Sequence, residues 1–318
     1  LPRTSPRQSR AETTPPAPPA DFRAPRANST CPVNQVTVRA TVGRHRRFDI
    51  VLYVNGLPLA VIELKSASDE NATLKSAHAQ LQTYVSEFPI AFRYNVLCLV
   101  SDGITAKYGT AFTPYEHFAP WNVDHEGKPV DTNEPGYDGL DALNLALHGL
   151  FTQDRFLSLT RNFVNFPPPN PGEPLTGKRI AKPHQYFAVN KAVDAVVEAA
   201  RTNGQAGVVW HTQGAGKSEE MVETAALVLR HPALNTPTIV VITDRNDLDD
   251  QLYDTFLDSE TLLGQKAHQI DTRDELRTEL TRRNVGGIVF TTLQKFGLSK
   301  EEKDAGKSHP LLSERRNI

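Results

Sequence analysis

The stretch FDIVLYVNGLPLAVIELK, residues 48–65, carries the reading of the first half of the chain. Residues 48–54 and 57–65 are rich in Val, Ile, Leu and aromatic side chains, the composition of strands. Asn55-Gly56 between them is a hairpin signal, because tight hairpin turns need positive φ at their central residues. Pro58 stands at the start of the return strand, where a missing N–H is tolerated. Side chains alternate along a strand, so Glu63 and Lys65 share one face while Ile62 and Leu64 point the other way into a core. That shared face should be polar; the apolar Val61, also on it, puts the acid and the lysine near the strand's end. Asp49 lies on the partner strand, and register decides where it points. A two-residue Asn55-Gly56 loop pairs Asp49 with Ile62, on the wrong face. A three-residue loop, residues 54–56 with Gly56 left-handed, changes the parity and puts Asp49 on the Glu63 face. The longer, bulged turn is therefore expected.

These residue types suit one chemistry. Phosphodiester hydrolysis uses Mg²⁺ held by carboxylates, a water activated by that metal, and a cation near the developing charge. Asp49 and Glu63 are the candidate metal ligands and Lys65 the candidate cation. Residues 71–88 read as a helix, on which Gln80 and Tyr84 stand four apart and so on one face. An Asp followed by Glu-x-Lys on a strand end arises often by chance; the hairpin and the Gln/Tyr helix raise its weight. Arg39, Arg44, His45, Arg46 and Arg47 form a basic run just before Asp49. It suits either DNA phosphates or a solvated loop.

Working outward, residues 1–32 hold eight prolines among Arg, Ser and Ala, and read as a disordered tail. Residues 35–42 alternate as a strand, and 96–101 form a short buried strand ended by Asp102-Gly103. Residues 140–166 read as mostly helical. The run PPPNPG, residues 167–172, is the clearest linker. The expected domains are residues 33–166, a linker at 167–177, and 178–318.

After the linker, strand and helix alternate. Helices are expected at 184–201, 217–230, 247–256 and 274–283. Strands are expected at 207–211, 238–243 and 287–292. The strands are Val/Ile-rich without polar alternation, as in a parallel sheet covered on both faces. Between the first strand and its helix sits WHTQGAGKS, residues 210–218. Phosphates need many N–H donors and little side-chain bulk. Gly214 and Gly216 let the loop of Thr212, Gln213, Gly214, Ala215 and Gly216 curl its amides inward at a helix N-terminus. Lys217 would reach the β- and γ-phosphates of ATP, and Ser218 would offer its hydroxyl to Mg²⁺. His211 fills the position of the pattern's first glycine. Residues 243–246 and Thr291-Thr292 follow strands, at the ends that carry functional loops in open parallel sheets; they also suit ordinary turns and a helix N-cap.

The bulk numbers bound the rest. The chain has 318 residues, 39% hydrophobic and 23% charged, with a net charge of −2. Two domains with real cores fit, and nucleic-acid contact must come from local patches. No apolar run nears the roughly 18 residues of a membrane helix, and no secretory signal is evident, so a cytoplasmic, soluble protein is expected. Cys31 and Cys98 lie far apart, and the ten histidines show no zinc-type spacing.

Taken in order, residues 48–59, 63–65, 80–84, 101–103, 161–164, 210–218, 243–252 and 287–296 resemble the restriction (R) subunit of type I restriction-modification enzymes. The likeness implies an α/β protein: a restriction-endonuclease-like mixed-sheet domain of the PD-(D/E)xK class, then an incomplete RecA-like parallel-sheet P-loop lobe of superfamily 2 helicases. Phe48 stands where that class's name has proline. The resemblance implies that Asp49, Glu63, Lys65, Gln80 and Tyr84 form the nuclease site, that Gln185 reads adenine, that residues 243–246 and Thr291-Thr292 touch the DNA backbone, and that Mg²⁺ and ATP are cofactors. It implies as partners double-stranded DNA and the methylase and specificity subunits. In the family a strand with an Asp-Glu pair follows the point where this sequence ends, and a second motor lobe follows that. ATP is accordingly expected to bind weakly and not be hydrolysed efficiently. The alternatives are a nucleotide-binding module of another P-loop ATPase, or a non-functional truncated gene product.

Overall fold

The computed structural model describes residues 20–39, 43, 45–66, 73–130, 142–168, 177–244, 246–283 and 285–315. The expected tail over residues 1–19 lies outside them, as does Arg44.

The first sheet has five strands in sequential order: β1 (Thr30–Arg39), β2 (His45–Val54), β3 (Leu57–Leu64), β4 (Leu97–Ser101) and β5 (Ala106–Gly109). β3 and β4 run parallel and the other pairs antiparallel. The parallel pair requires a crossover, and helix α1 (Leu74–Glu87) supplies it. Thr73 starts α1: its hydroxyl accepts from the Ser76 amide at 3.1 Å, and Ser76 Oγ accepts from the Thr73 amide at 3.0 Å. Leu74, Ala77, Leu81 and Tyr84 are its buried stripe, packed on Val51 and Val61 of the sheet.

The β2–β3 turn corrects one expectation. Val54 pairs directly with Leu57, so the loop is the two residues Asn55 and Gly56, with φ of 49° and 82°. Positive φ at both centres matches the twist of the flanking strands. The parity change lies further down: Tyr53 pairs with Pro58 but Leu52 with Ala60, leaving Leu59 as an extra residue. This bulge in β3 does what a longer turn was expected to do. From Ile50↔Ile62 the register carries Asp49 to Glu63.

Order also begins earlier than expected. Residues 20–32 are not a loose tail. β1 starts at Thr30, and the segment before it braces the hairpin turn. The Ser29 amide donates to Asn55 Oδ1 at 2.8 Å, and the Asn55 amide to the Ser29 carbonyl at 2.8 Å. Asn28, buried, accepts from Asn55 Nδ2 at 2.9 Å. Pro-rich composition predicts poor burial, but side-chain amides supply the partners that apolar area does not.

The opposite face of the first sheet is covered by α2 (Ala142–Leu150), α3 (Gln153–Asn162) and α4 (Pro183–Arg201). A short antiparallel pair, β6 (Val164–Asn165) with β7 (Arg179–Ile180), straddles the Pro-rich run; residues 169–176 of that run lie outside the described set. One apolar cluster contains Leu52, Ile62 and Leu99 before the run and Val189, Val193 and Val228 after it. Trp121 is its largest member, 1% exposed, and packs on Tyr108 and on Tyr186 and Phe187 of α4. Gly149 makes room for it: a Cβ there would lie 2.0 Å from Trp121 Nε1.

α5 (Lys217–Arg230) follows, then a parallel sheet of order β8–β10–β9, built from β8 (Ile239–Thr243), β9 (His268–Gln269) and β10 (Ile288–Thr292). Helices α6 (Asn246–Asp258), α7 (Glu260–Leu263) and α8 (Arg273–Arg282) fill the connections, and α9 (Lys300–Asp304) follows β10. The strand expected at 207–211 does not form. Val208 and Trp210 are 89% and 88% exposed, and this segment has no ladder partner among the described strands. An extended segment becomes a strand only when a neighbour takes its N–H and C=O groups.

The shared cluster makes Trp121 a bond between the two halves of the chain. Trp121→Ala should cost about 3–5 kcal/mol and lower a single denaturant transition reported both by far-UV signal and by Tyr/Trp fluorescence. Two separate transitions in the parent chain, only one of them moved by the substitution, would contradict the shared core.

Candidate nuclease site and nucleotide loop

Glu63 lies on β3 under α1 and is 0% exposed. The polar face expected around it is instead a buried one, roofed by the helix. Asp49 stands across from it on β2, where Asp49 Oδ2 accepts the Leu64 amide at 2.9 Å. Lys65 Nζ is 3.1 Å from Glu63 Oε1 and also donates to Gln80 Oε1. Gln80 Nε2 donates to the Tyr84 hydroxyl, which donates to the Arg47 carbonyl at 3.2 Å. The Tyr84 ring stacks on Phe48, centroids 4.6 Å apart. The structure thus brings Asp49, Glu63, Lys65, Gln80 and Tyr84 into one hydrogen-bonded group. The i, i+4 spacing on α1 places Gln80 and Tyr84 to relay each other, with the Arg47 carbonyl as the anchor no motif announces.

Electrostatics follow from burial. Desolvation, then the neighbouring Asp49 charge, pushes the Glu63 carboxyl up to about 7, with Lys65 opposing. Burial likewise raises the Tyr84 hydroxyl. Glu63 Oε2 is buried with no hydrogen-bond partner. An orphaned carboxylate oxygen facing a second carboxylate is a costly arrangement unless a proton or a cation joins them. Hard oxygen donors of this kind fit Mg²⁺.

The basic residues group at the same end. His45, Arg46 and Arg47 of β2 are exposed and pair with Arg39, Val38 and Thr37 of β1. Arg46 is held by a two-pronged contact with Glu87, at 2.8 and 2.9 Å.

In the second half, Gly214 and Gly216 have φ of 79° and 86°, the left-handed region that glycine adopts without strain. Gly216 caps α5, so Thr212–Lys217 curl over a helix N-terminus. Lys217 Nζ donates to the carbonyls of His211 at 3.1 Å and Thr212 at 2.9 Å, folding back onto its own loop. Thr212 and Gln213 are exposed and Ser218 half-buried. Gln185 is buried against this loop: its Oε1 accepts the Lys182 amide at 2.8 Å, and its Nε2 lies 3.4 and 3.3 Å from the Ala215 and Gly216 carbonyls. Its amide is therefore spent on the backbone, a bracing contact. Thr243 and Thr292 pair at the carboxyl ends of β8 and β10, and Gln294 Nε2 donates to the Asp244 carbonyl at 2.9 Å. Arg245 lies outside the described residues.

Two contacts that no motif announced lie beside this loop, and the first of them crosses from one half to the other. Asn165 of β6 donates to Ser259 Oγ at 2.7 Å, and Arg179 of β7 pairs with Glu219, two residues after Lys217. Their partners are 94 and 40 residues away, beyond any local pattern.

The raised Glu63 carboxyl has a measurable sign. Its unfolded value is 4.5 and its folded value about 7. Between these the folded state binds more protons, so this group favours folding below about pH 4.5 and that gain is lost as pH rises to about 7. With metal chelated, urea unfolding across this window should show a fall of about 3 kcal/mol in the parent relative to Glu63→Gln. Parallel stability curves for the two proteins would contradict the assignment.

Two family models match. Residues 14–117 match the type I restriction enzyme R protein N terminus, and residues 184–318 match the SWI2/SNF2 ATPase. Among curated proteins the chain is 42% identical over 301 residues to the type I restriction enzyme HindI endonuclease subunit of Haemophilus influenzae, covering 94% of this chain and 28% of that protein. It is 32% identical over 291 residues to the protein designated MjaIXP endonuclease subunit of Methanocaldococcus jannaschii, covering 87% of this chain and 26% of that one. It is 23% identical over 227 residues to the type I restriction enzyme SauCOLORF180P endonuclease subunit of Staphylococcus aureus, covering 70% and 22%. The chain thus spans about a quarter of the length of these relatives. Over that span, with both family models in the same order as its mixed and parallel sheets, the chain belongs to the family of type I restriction enzyme endonuclease (R) subunits.

Proposed function

We propose that this stretch carries the DNA-cutting site and part of the nucleotide site of an ATP-dependent restriction subunit. The observation that carries the reading is the Leu59 bulge, which turns Asp49 to the side of Glu63 and Lys65. Asp49 and Glu63 would hold Mg²⁺, which when bound supplies Lewis-acid stabilisation and a water of lowered pKa. Lys65 contributes the positive charge for the developing phosphorane. Gln80 aims the Lys65 ammonium, and Tyr84 aims Gln80 through its own bond to the Arg47 carbonyl. Gln80 and Tyr84 are thus positioning residues. Arg39, His45 and Arg47, exposed beside the site, would neutralise phosphates of a DNA duplex sequence-independently.

The Thr212–Ser218 loop would take the ATP phosphates, with Lys217 leaving the His211 and Thr212 carbonyls for the nucleotide and Ser218 serving its Mg²⁺. Gln185, placed against the loop, would meet adenine only by giving up its hold on Ala215 and Gly216. The methylase and specificity subunits, and a cytoplasmic setting, belong to this reading. Among the described residues no helix is long and apolar enough to cross a membrane.

The test is nicking of supercoiled DNA in Mg²⁺. Asp49→Ala and Lys65→Ala should each lower the rate at least about 100-fold, and Gln80→Ala by about tenfold, the scale of losing or misplacing one charge stabiliser. Equal nicking by parent, Asp49→Ala and Lys65→Ala would remove the nuclease assignment. In parallel, ATP titration of the parent and Lys217→Ala should show at least about tenfold weaker binding in the variant; equal binding would remove the nucleotide assignment alone.

A further inference from the structure

We propose that His184, His211 and Glu220 form a site for a borderline divalent transition-metal ion, of the Zn²⁺ or Co²⁺ type, at the neck of the phosphate loop. The three residues come from three elements: the start of α4, the extended segment before the loop, and the first turn of α5. Each offers one ligand atom, and these atoms lie within 4.8 Å of one another.

Three observations point to a ligand rather than to a simple ion pair. First, Glu220 is 4% exposed, and while its Oε1 sits 2.7 Å from His211 Nδ1, its Oε2 is buried with no partner. A buried carboxylate with one oxygen unsatisfied is expensive, and a cation removes the cost. Second, His184 Nε2 lies 2.9 Å from the Ala215 carbonyl. A carbonyl only accepts, so Nε2 carries the hydrogen, and the neutral ring keeps a lone pair on its other nitrogen. A ring N–H given to a backbone carbonyl is the usual outer contact of a metal-binding histidine. Third, the His184 and His211 rings meet edge to face at 5.2 Å, an arrangement that an ion pair between His211 and Glu220 does not need. A cavity of about 510 Å³ lined by both histidines opens beside them and admits an ion.

The donor set selects the metal. Two imidazoles and one carboxylate suit Zn²⁺, Co²⁺ or Ni²⁺ with a fourth position open, whereas Mg²⁺ and Ca²⁺ prefer all-oxygen sites such as Asp49 with Glu63. Metal bonds of ~2.0–2.1 Å imply ligand atoms about 3.3 Å apart. The His211–Glu220 pair would therefore widen slightly while His184 draws in. Such an ion would tie α4, the loop neck and α5 together at the residue whose carbonyl receives Lys217 Nζ. The site does not depend on the nuclease or nucleotide readings.

The experiment is a Co²⁺ titration of the 318-residue chain, stripped of metal and held in millimolar Mg²⁺ to fill all-oxygen sites. The expected result is an intense visible absorption of four- or five-coordinate Co²⁺, saturating at one equivalent and displaced by Zn²⁺. In the His184→Ala, His211→Ala double variant the affinity should fall at least about 100-fold, with circular dichroism reporting the fold. Should that variant not fold, His184→Gln alone is read for the same loss. Absence of the absorption in the parent, or its persistence in folded variants, overturns the site and leaves a His–Glu ion pair.

Discussion

The juxtaposition of two carboxylates at Asp49 and Glu63 governs the first half of this molecule. Burial strips Glu63 of solvent and the neighbouring Asp49 charge adds repulsion, which is why the Glu63 carboxyl rises to about 7. Everything around the pair answers that cost. Lys65 supplies an opposite charge, Gln80 and Tyr84 fix the lysine, and the Arg47 carbonyl anchors the relay to β2. Buried under α1, Glu63 Oε2 is left without a partner, an imbalance that a proton or a cation would relieve. One extra residue, Leu59, makes the juxtaposition possible at all. Without the bulge a two-residue turn would send Asp49 to the Ile62 side, into the apolar cluster.

The second half is organised by a different constraint. Its Thr212–Ser218 loop hangs between α4 and α5 with no paired strand beneath it among the described residues, and polar side chains do the holding. Gln185 grips the Ala215 and Gly216 carbonyls, Lys217 folds onto the His211 and Thr212 carbonyls, and Glu220 holds His211. The apolar cluster around Trp121 couples this region to the first sheet, while Arg179–Glu219 ties β7 to α5 and Asn165–Ser259 ties β6 to the helices that follow. A displacement of α5 on filling the loop would therefore be felt at β6 and β7.

Much of this was legible from residue order. The apolar return strand at 57–65, the Asn55-Gly56 turn and the Gln80/Tyr84 spacing point to the candidate site, and the Val/Ile runs at 238–243 and 287–292 point to a parallel sheet. Strand parity demands one extra residue to bring Asp49 beside Glu63, but that residue is Leu59 in β3 rather than one in the turn. A bulge at Leu59 leaves no mark in composition, since Leu59 is apolar and buried like its neighbours. The 207–211 segment has strand composition, but pairing depends on a neighbour, and local sequence does not encode one. Order in residues 20–29 rests on Asn28 and Ser29 meeting Asn55, a contact 26 or 27 residues long-range. The His184–His211–Glu220 cluster was equally hidden, because its members are spaced as no metal motif is.

Asp49 on β2 and Glu63 on β3 would share one cation. Anomalous diffraction from crystals of the chain soaked in Mn²⁺, a scattering substitute for Mg²⁺, addresses it directly. A peak within about 2.3 Å of carboxylate oxygens from both Asp49 and Glu63, with Lys65 alongside, is the predicted result. Side chains of Asp49 and Glu63 on opposite faces of the sheet, with the manganese elsewhere, would contradict it.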